Sequence, residues 1–427
     1  MRGTGMRRGG LIVLMICIVC GGDDAGELVS GARLSQARAA WGQGPLLGLA
    51  ERLQPHVGET IDLVEIANGN RFVRPVLEEV LQRGGQITAL RLRPEGEARI
   101  VNVPARGIVK IIAARATLYE ADASGAPPGV RRLRQSYRQQ EEASLRRMQS
   151  RGVAPWPQLS AEEHATQVAE LEAFVTRVRQ VFPALQLSST HEFLVASDMP
   201  AGRLAPFQAA LDSMHDSLCD LYGIPRGEPV WRGKCLVFMF EKQADFAAFE
   251  GRFMEAALPA AFGVCHQRSD GRVVMACYSG DDASAFAHML VHETSHGFNH
   301  RWKSPVAFPN WLNEGIAEWV GTQVVPACQQ VPLKEAKALE YMRTTGSVGP
   351  GFFDDRPTAH IQQVQYGIAS GLVKMLVTRD RKKFAAFVGG VKEGQGVEES
   401  LRNTFRASLD DLLKAYGQAV GVPTLSR

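Results

Sequence analysis

The chain has 427 residues, of which 45% are hydrophobic and 22% are charged, and its formal net charge is +3 at pH 7. The length is enough for about three domains, and the composition is that of an ordinary globular protein. A net charge this close to zero gives a polyanion no general attraction, so we expect no nucleic-acid partner.

Residues 1–26 have the pattern of a secretory signal peptide. Three arginines lie among the first eight residues, and an uninterrupted apolar run follows from Leu11 to Cys20. This run is too short to span a bilayer. We therefore predict that the protein is exported to the periplasm, the cell envelope or the outside of the cell. Cys20 leaves a lipid-anchored N-terminus as the alternative, although Cys17 and Val19 fit a lipoprotein signal poorly.

Residues 56–120 predict a small all-β module. Short alternating runs are separated by turn-forming pairs such as Asn68-Gly69 and Gly84-Gly85. Such spacing is typical of a small barrel, and the pattern is similar to SH3- and Sm-like barrels. The module could bind cell wall, peptide or another subunit, but we favour a spacer or packing role. The predicted strands are Ile61–Ile66, Phe72–Val80, Ile87–Leu92, Ala98–Val103 and Ile108–Ala113.

Residues 128–185 predict a basic helical linker. The segment Val130–Arg151 is rich in arginine and glutamine, and Ala161–Val181 resumes a helical pattern after a proline-containing break. Glu141 and Glu142 interrupt the basic run, which favours a solvated helix over a nucleic-acid surface.

Residues 190–427 predict a third domain with strands before helices. The strands are expected at His191–Ala196, Lys234–Phe240 and Gly271–Tyr278, with a helix at Leu204–Tyr222 and another that ends near Phe253. Together with the earlier segments, this order predicts an α+β protein.

The segment His292-Glu293-Thr294-Ser295-His296 is the first of two motifs in this domain. Asp281 and Asp282 can cap a helix start, and the apolar spacing after them predicts an amphipathic helix that contains the motif. Residues four apart lie on one helix face, so both histidines can aim a ring nitrogen at one metal ion. Glu293 reaches the edge of such a site, where a general base belongs.

A second motif, from Trp311 to Trp319, supplies two carboxylates, Glu314 and Glu318, one helical turn apart. Two histidines and one carboxylate, with a fourth position left for water, form a standard catalytic zinc set. The two motifs together therefore predict a Zn²⁺ site.

The two motifs resemble those of the gluzincin metallopeptidases, the group that contains thermolysin and the zinc aminopeptidases. The resemblance implies that His292, His296 and Glu314 are the zinc ligands and that Glu293 is the general base. It also implies that Glu318 holds a ligand histidine in its metal-binding tautomer. The residues that carry it are His292-Glu293-x-x-His296 and Asn313-Glu314-Gly315-x-Ala317-Glu318.

The same resemblance implies a thermolysin-like domain with a mixed sheet followed by a helical lobe. In gluzincins the strand before the active-site helix is often an exposed edge that receives extended substrate, and Val273–Cys277 is expected there. Aminopeptidase specificity is not implied, because no Gly-Ala-Met-Glu-Asn motif is present. The spacing from His296 to Glu314 is also one residue shorter than is usual in the aminopeptidases.

The rest of the chain predicts helices and one further catalytic candidate. Tyr366 lies where related peptidases carry a tyrosine that stabilises the oxyanion; a tyrosine packed under the next helix is the open alternative, and His360 is the weaker candidate. His288 and His300 are expected to be bystanders. The predicted helices are Leu333–Arg343, His360–Val377, Arg381–Val388 and Val397–Val420.

Five cysteines follow the predicted leader. Cys265 with Cys277, or Cys219 with Cys235, could form a disulfide in an exported protein, and buried free thiols are the equal alternative. Their spacing fits no cysteine-based zinc site.

The sequence therefore predicts an exported metallopeptidase that hydrolyses peptide or protein substrates with a zinc-activated water and Glu293 as the base. The overall layout also resembles uncharacterised bacterial peptidase-MA-like proteins, notably from planctomycetes. An envelope binding or scaffolding protein with a structural or vestigial metal site is the alternative, and a hydrolase of another amide or ester is a third.

Overall fold

A computed structural model describes residues 49–427 except 67–70, 84–85, 115, 121–127, 226, 257–261 and 357–358. The protein is α+β, as predicted, with several small sheets and a larger number of helices. Of the described residues, 49–142 form one compact unit and 143–427 form the other. The predicted signal peptide and Cys20 lie outside the described residues, and the predicted boundaries of the barrel and linker stay predictions.

The described part of the smaller unit begins with a short helix, α1 (Leu49–Leu53), and contains seven strands in two antiparallel sheets. One sheet has the order β2-β1-β6-β7, the other has the order β3-β4-β5, and their buried residues form one apolar core. The strands are β1 (Leu63–Ile66), β2 (Arg71–Val73), β3 (Val76–Arg83), β4 (Gln86–Arg93), β5 (Val101–Pro104), β6 (Ile108–Ala113) and β7 (Ala116–Glu120).

The prediction of one strand from Phe72 to Val80 is wrong. Arg74 has a φ of +48°, in the left-handed region that ends a regular strand, and Pro75 follows without a backbone N–H. The chain therefore turns there, and β2 and β3 enter different sheets. The strand β7 was not predicted.

Two long helices follow, α2 (Pro128–Ser150) and α3 (Ala161–Arg179), where the sequence predicted helices. The boundary between the two units falls within α2. A capping box begins α3: Ser160 Oγ accepts a hydrogen bond from the Glu163 backbone N–H, and the Glu163 carboxylate accepts one from the Ser160 N–H.

The larger unit contains a five-stranded sheet in the order β11-β12-β10-β9-β8. The strands β9, β10 and β12 are parallel, and each outer strand is antiparallel to its neighbour. Every residue of β9 and β10 is buried, so helices cover both faces. The strands are β8 (Gln186–Ser189), β9 (Phe193–Ser197), β10 (Cys235–Phe240), β11 (Gly263–Gln267) and β12 (Val273–Tyr278), and the connecting helices are α4 (Ala201–Tyr222) and α5 (Gln243–Phe249), the latter continued by a π-helical turn (Glu250–Met254).

The prediction that Val273–Cys277 is an exposed edge is wrong. This segment is in β12, which pairs with β10 on one side and with β11 on the other. The strand β11, which the sequence did not predict, occupies the edge position, and the following loop returns the chain directly into β12. All residues of β11 are buried.

Seven helices complete the larger unit. The predicted helix from Val397 to Val420 is two helices, because Arg406 has a φ of +57° and Ser408 caps a new start. The helix predicted from His360 begins at Gln365. The helices are α6 (Ala283–Arg301), α7 (Asn310–Val324), α8 (Gln330–Thr345), α9 (Gln365–Arg379), α10 (Arg381–Lys392), α11 (Val397–Phe405) and α12 (Leu409–Val420). Within the described ranges, none of the helices has the length and apolar character needed to cross a membrane.

Two adjacent residues at the end of α10 hold the end of α6 in place. Lys392 has 0% exposure, and its Nζ donates hydrogen bonds to the carbonyl oxygens of Asn299 at 2.9 Å and Val306 at 2.7 Å. The Glu393 carboxylate binds Arg147 of α2 and Lys303, which follows α6. The bond to Asn299 satisfies a carbonyl group that the end of α6 otherwise leaves without a partner.

The five described cysteines are buried free thiols, so neither candidate disulfide is formed. In the β11–β12 hairpin, Cys265 is opposite Met275 and Cys277 is opposite Gly263. The two cysteines are therefore diagonal neighbours, roughly 7–8 Å apart, which exceeds the Cα separation of about 4.4–6.8 Å that a disulfide requires.

Candidate metal centre

Helix α6 carries the first motif through the centre of the larger unit. The Asp282 side chain accepts hydrogen bonds from the Ser284 and Ala285 backbone N–H groups at 2.8 and 3.0 Å, which confirms the predicted cap at this residue. The predicted amphipathic character is wrong, since every residue from 288 to 299 is buried. The helix is therefore enclosed on all sides, as is typical of a core helix.

His292, His296 and Glu314 converge in this enclosed region. His292 Nε2 lies 3.1 Å from Glu314 Oε2, and His296 Nε2 lies 3.5 Å from Glu314 Oε1. One possible ligand atom from each residue lies within 4.8 Å of the other two. The exposures are 3%, 2% and 0%, respectively. The structure thus brings the three predicted ligands together.

Close helix packing fixes the position of Glu314. The next residue, Gly315, faces α9 so closely that a Cβ atom there would stand 2.5 Å from the Ala369 carbonyl oxygen. A larger residue would force α7 away from α9, and Glu314 would move with it. The glycine of this motif therefore has a packing reason.

The electrostatics of the three residues fit a bound cation. Burial lowers the pKa of His292 to about 3 and also lowers that of His296, so both imidazoles offer neutral lone pairs. Burial raises the pKa of Glu314. Among the residues that the structure describes, His296 Nε2 and Glu314 Oε1 have no hydrogen-bond partner. Buried polar atoms normally have one, so these residues fit a metal ion that accepts their lone pairs.

Glu293 is only 1% exposed. It is one turn before Gly297, which packs closely against Val273 and Cys265 of the β11–β12 hairpin, so it is on the side of α6 that faces this hairpin. After burial, its charge is the next cause that raises the pKa of the Cys265 and Cys277 thiols. The carboxylate is thus close to the sheet as well as next to His292 in the chain. Its role as general base stays a prediction.

Glu318 lies on the other side of His292. Its Oε1 atom is 3.6 Å from His292 Nδ1, the ring nitrogen opposite the one that faces Glu314, and 2.5 Å from Lys334 Nζ. Although burial opposes it, Lys334 and the nearby histidines lower the pKa of Glu318 overall. A carboxylate in this position can orient His292 with Nε2 directed to a metal ion.

That His288 is a bystander to the metal ion stays a prediction, but its side chain lies against the carboxylate of Glu318. Its Nε2 lies 3.3 Å from Glu318 Oε2, and the residue is only 3% exposed. The sequence places Glu318 one turn after Glu314, but it does not show that His288 packs against Glu318. His300, at the other end of the row, instead lies beside the Trp156 ring, with 5.2 Å between ring centroids.

A partly open pocket of about 280 Å³ borders His296. Asn299, Asn310 and Asn313 contribute to its walls, and His360 is exposed in it. His360 also lowers the pKa of Glu314 in a minor way, after burial and closer charges. The weaker of the two oxyanion candidates is therefore the one that lines the pocket.

Tyr366 is 8% exposed and is not among the residues that line this pocket. Its ring centre lies 5.4 Å from Lys334 Nζ. This environment favours the packing alternative, and a catalytic role for Tyr366 stays a prediction.

Sequence reasoning missed three residues that support the site. Tyr222 donates a hydrogen bond to Asn299 Oδ1 at 2.6 Å, and Asn299 Nδ2 donates one to Asn313 Oδ1 at 2.9 Å. Lys334, which contacts Glu318, is the third missed residue, after Tyr222 and Asn299. Of the residues in this hydrogen-bond network, only Asn313 belongs to a motif, because it precedes Glu314. Tyr222 and Lys334 come from α4 and α8 and had no sequence signal.

Comparison of the sequence with protein-family models gives no match, and comparison with curated proteins gives none either.

Proposed function

We propose that this protein is an exported zinc metallopeptidase of the gluzincin type, which hydrolyses bonds in peptide or protein substrates. The observation that carries the proposal is the convergence of His292, His296 and Glu314 within 4.8 Å, with Glu293 next to the first histidine. The pocket beside His296 gives a substrate access to this region.

The residues divide the work of such a reaction between them. A zinc ion held by His292, His296 and Glu314 would supply Lewis acidity and lower the pKa of a water molecule. Glu293 takes the proton from that water at a carboxylate oxygen and returns it to the leaving amine. His360, or Tyr366 after a rearrangement, donates a hydrogen bond to the developing oxyanion. Glu318 keeps the His292 ring oriented.

The finer fold belongs to the same proposal. Parallel strands before α6, and helices as the regular elements of the described residues after it, support a thermolysin-like domain. Two antiparallel sheets around one core support a barrel-like module of SH3 or Sm type in the smaller unit. Export follows from the leader pattern of residues 1–26, with lipid attachment at Cys20 as the alternative.

A second candidate is an envelope binding or scaffolding protein with a structural metal ion. The nearly complete burial of His292, His296 and Glu314 favours it, because structural sites are closed to solvent whereas catalytic sites keep an open position. The difference between the two candidates lies in what Glu293 does.

The test has two measurements on the purified protein without its leader. Elemental mass spectrometry counts zinc, and mass spectrometry of a broad peptide mixture detects cleavage and identifies the bond that is cut. We expect about one zinc ion per chain and cleavage that Glu293→Gln reduces by about 10²–10⁴-fold without loss of zinc.

Glu314→Gln should lose most of the zinc, and the chain offers a matched control. Glu250 is also buried and lies 2.9 Å from a buried histidine, His266, but it is outside the cluster. Glu250→Gln should therefore retain zinc. Equal turnover in wild type and Glu293→Gln would refute the mechanism; zinc without any turnover would favour the structural candidate, and products other than peptides would indicate a different hydrolase.

A further inference from the structure

The candidate metal centre adjoins a second buried cluster that has the same residue types. His288, His292 and Glu318 each place a possible ligand atom within 4.8 Å of the others. His292 belongs to both clusters, with Nε2 directed to Glu314 and Nδ1 directed to Glu318. By residue type and distance alone, either cluster could hold a metal ion.

A lysine distinguishes the second cluster from the first. Lys334 Nζ, from α8, lies 2.5 Å from Glu318 Oε1 and 5.4 Å from the centre of the Tyr366 ring. The ammonium is therefore bound to the carboxylate that a second metal ion would need, and the aromatic face stabilises it there.

The balance of charge leads to the same result. Three buried carboxylates surround the histidine row, those of Glu293, Glu314 and Glu318. When ionised, they are balanced by one divalent ion and one ammonium. A second divalent ion would bind His292 through both ring nitrogens, which requires loss of the ring proton and adds one negative charge. With the ammonium present, the four negative charges would then face five positive charges in this buried region, where an unpaired charge is strongly unfavourable. Without the ammonium the two sums are equal.

We propose that Lys334 is the resident cation of the His288–His292–Glu318 cluster and that it restricts the protein to a single metal ion, held by His292, His296 and Glu314. The inference rests on the metal site of the proposed function but not on hydrolysis. Lys334 is thus a positioning residue, because it acts on the metal centre through Glu318.

The test is titration of metal-free protein with Co²⁺ alone, followed by its visible absorption and by elemental analysis. Wild type should bind one equivalent. Lys334→Met keeps the apolar stem but removes the ammonium, so it should bind a second equivalent at the vacated cluster. Lys334→Arg restores a cation and should return the count to one.

Two further variants locate the second ion and protect the test against misfolding. Lys334→Met combined with Glu318→Gln leaves no unpaired carboxylate and removes one ligand, so it should bind one equivalent. His288→Ala in the wild-type background should also bind one equivalent, because His288 holds no metal there.

The inference is overturned by zero or two equivalents in wild type, by one equivalent in folded Lys334→Met, or by complete loss of the metal ion in folded His288→Ala. The proposed function fails separately. If the metal counts are as expected but Glu293→Gln cleaves peptides like wild type, the single-metal inference stands and the peptidase mechanism does not.

Discussion

Replacing Glu393 with glutamine should destabilise the larger unit by about 2–3 kcal/mol. Glu393 is 3% exposed and accepts hydrogen bonds from Ser144 at 2.6 Å, Arg147 at 2.6 and 2.9 Å, and Lys303 at 3.2 Å. Breaking a buried ion pair usually costs about 3–5 kcal/mol. The expected value is lower because the Arg147 side chain is 49% exposed and glutamine still offers one acceptor oxygen.

The assay is urea unfolding at pH 7, followed by tryptophan fluorescence. Five of the six tryptophans lie in residues 143–427, so the signal reports mainly on the unit that contains Glu393. The control is Glu398→Gln in an exposed pair with Arg402, which should change the free energy of unfolding by less than about 0.5 kcal/mol. A change for Glu393→Gln as small as that of the control would refute the idea that this cluster secures the end of α6.

Three other predictions follow from single features. Burial alone would raise the pKa of Glu393, but Arg147, Ser144 and Lys303 lower it by more, so the overall shift is downward. The stability difference between wild type and Glu393→Gln should therefore be constant above about pH 4.5 and should shrink as the pH falls below that value. An unchanged difference at pH 3 would contradict this. A Cβ at position 321 would stand 2.3 Å from His288 Cε1, so Gly321→Ala should lower the free energy of unfolding by about 1–3 kcal/mol. In a His288→Ala background the same change should be neutral or stabilising. Additive effects in this double-mutant cycle would exclude the contact. Arg406 is exposed and has a φ of +57° at the end of α11, so Arg406→Gly should stabilise the protein by about 0.5–1 kcal/mol in the urea assay, and a loss of stability would show that its side chain matters more than its backbone.

The central part of the site could be predicted because its geometry is local. The four-residue spacing of His292 and His296 fixes their common face on any helix, and Glu314 follows in a motif of its own. Lys334 had no such signal, since its approach to Glu318 depends on how α8 packs beside α7. The contact of His288 with Glu318 had no signal either, since it depends on how α7 packs beside α6.

The fold was predictable where hydrophobic spacing is regular and not where pairing is remote. Strand order cannot be read from local pattern, so β12 was mistaken for an edge. The segment of β11, Gly-Val-Cys-His-Gln, has no clear alternation, because the residues on both of its faces are buried. The break at Arg406 was missed because arginine is not a residue that usually ends a helix.

The absence of disulfides among the described cysteines decides when this protein is sensitive to oxidation. Burial raises the pKa of the Cys235, Cys265 and Cys277 thiols, and only the thiolate reacts readily. Once folded, these cysteines are therefore inert even in an oxidising compartment. Before folding, the same thiols are exposed and can form bridges that the native hairpin cannot accommodate. If the protein is exported as proposed, it has to fold faster than it is oxidised. Refolding from denaturant should succeed best with a reductant present until the core has closed.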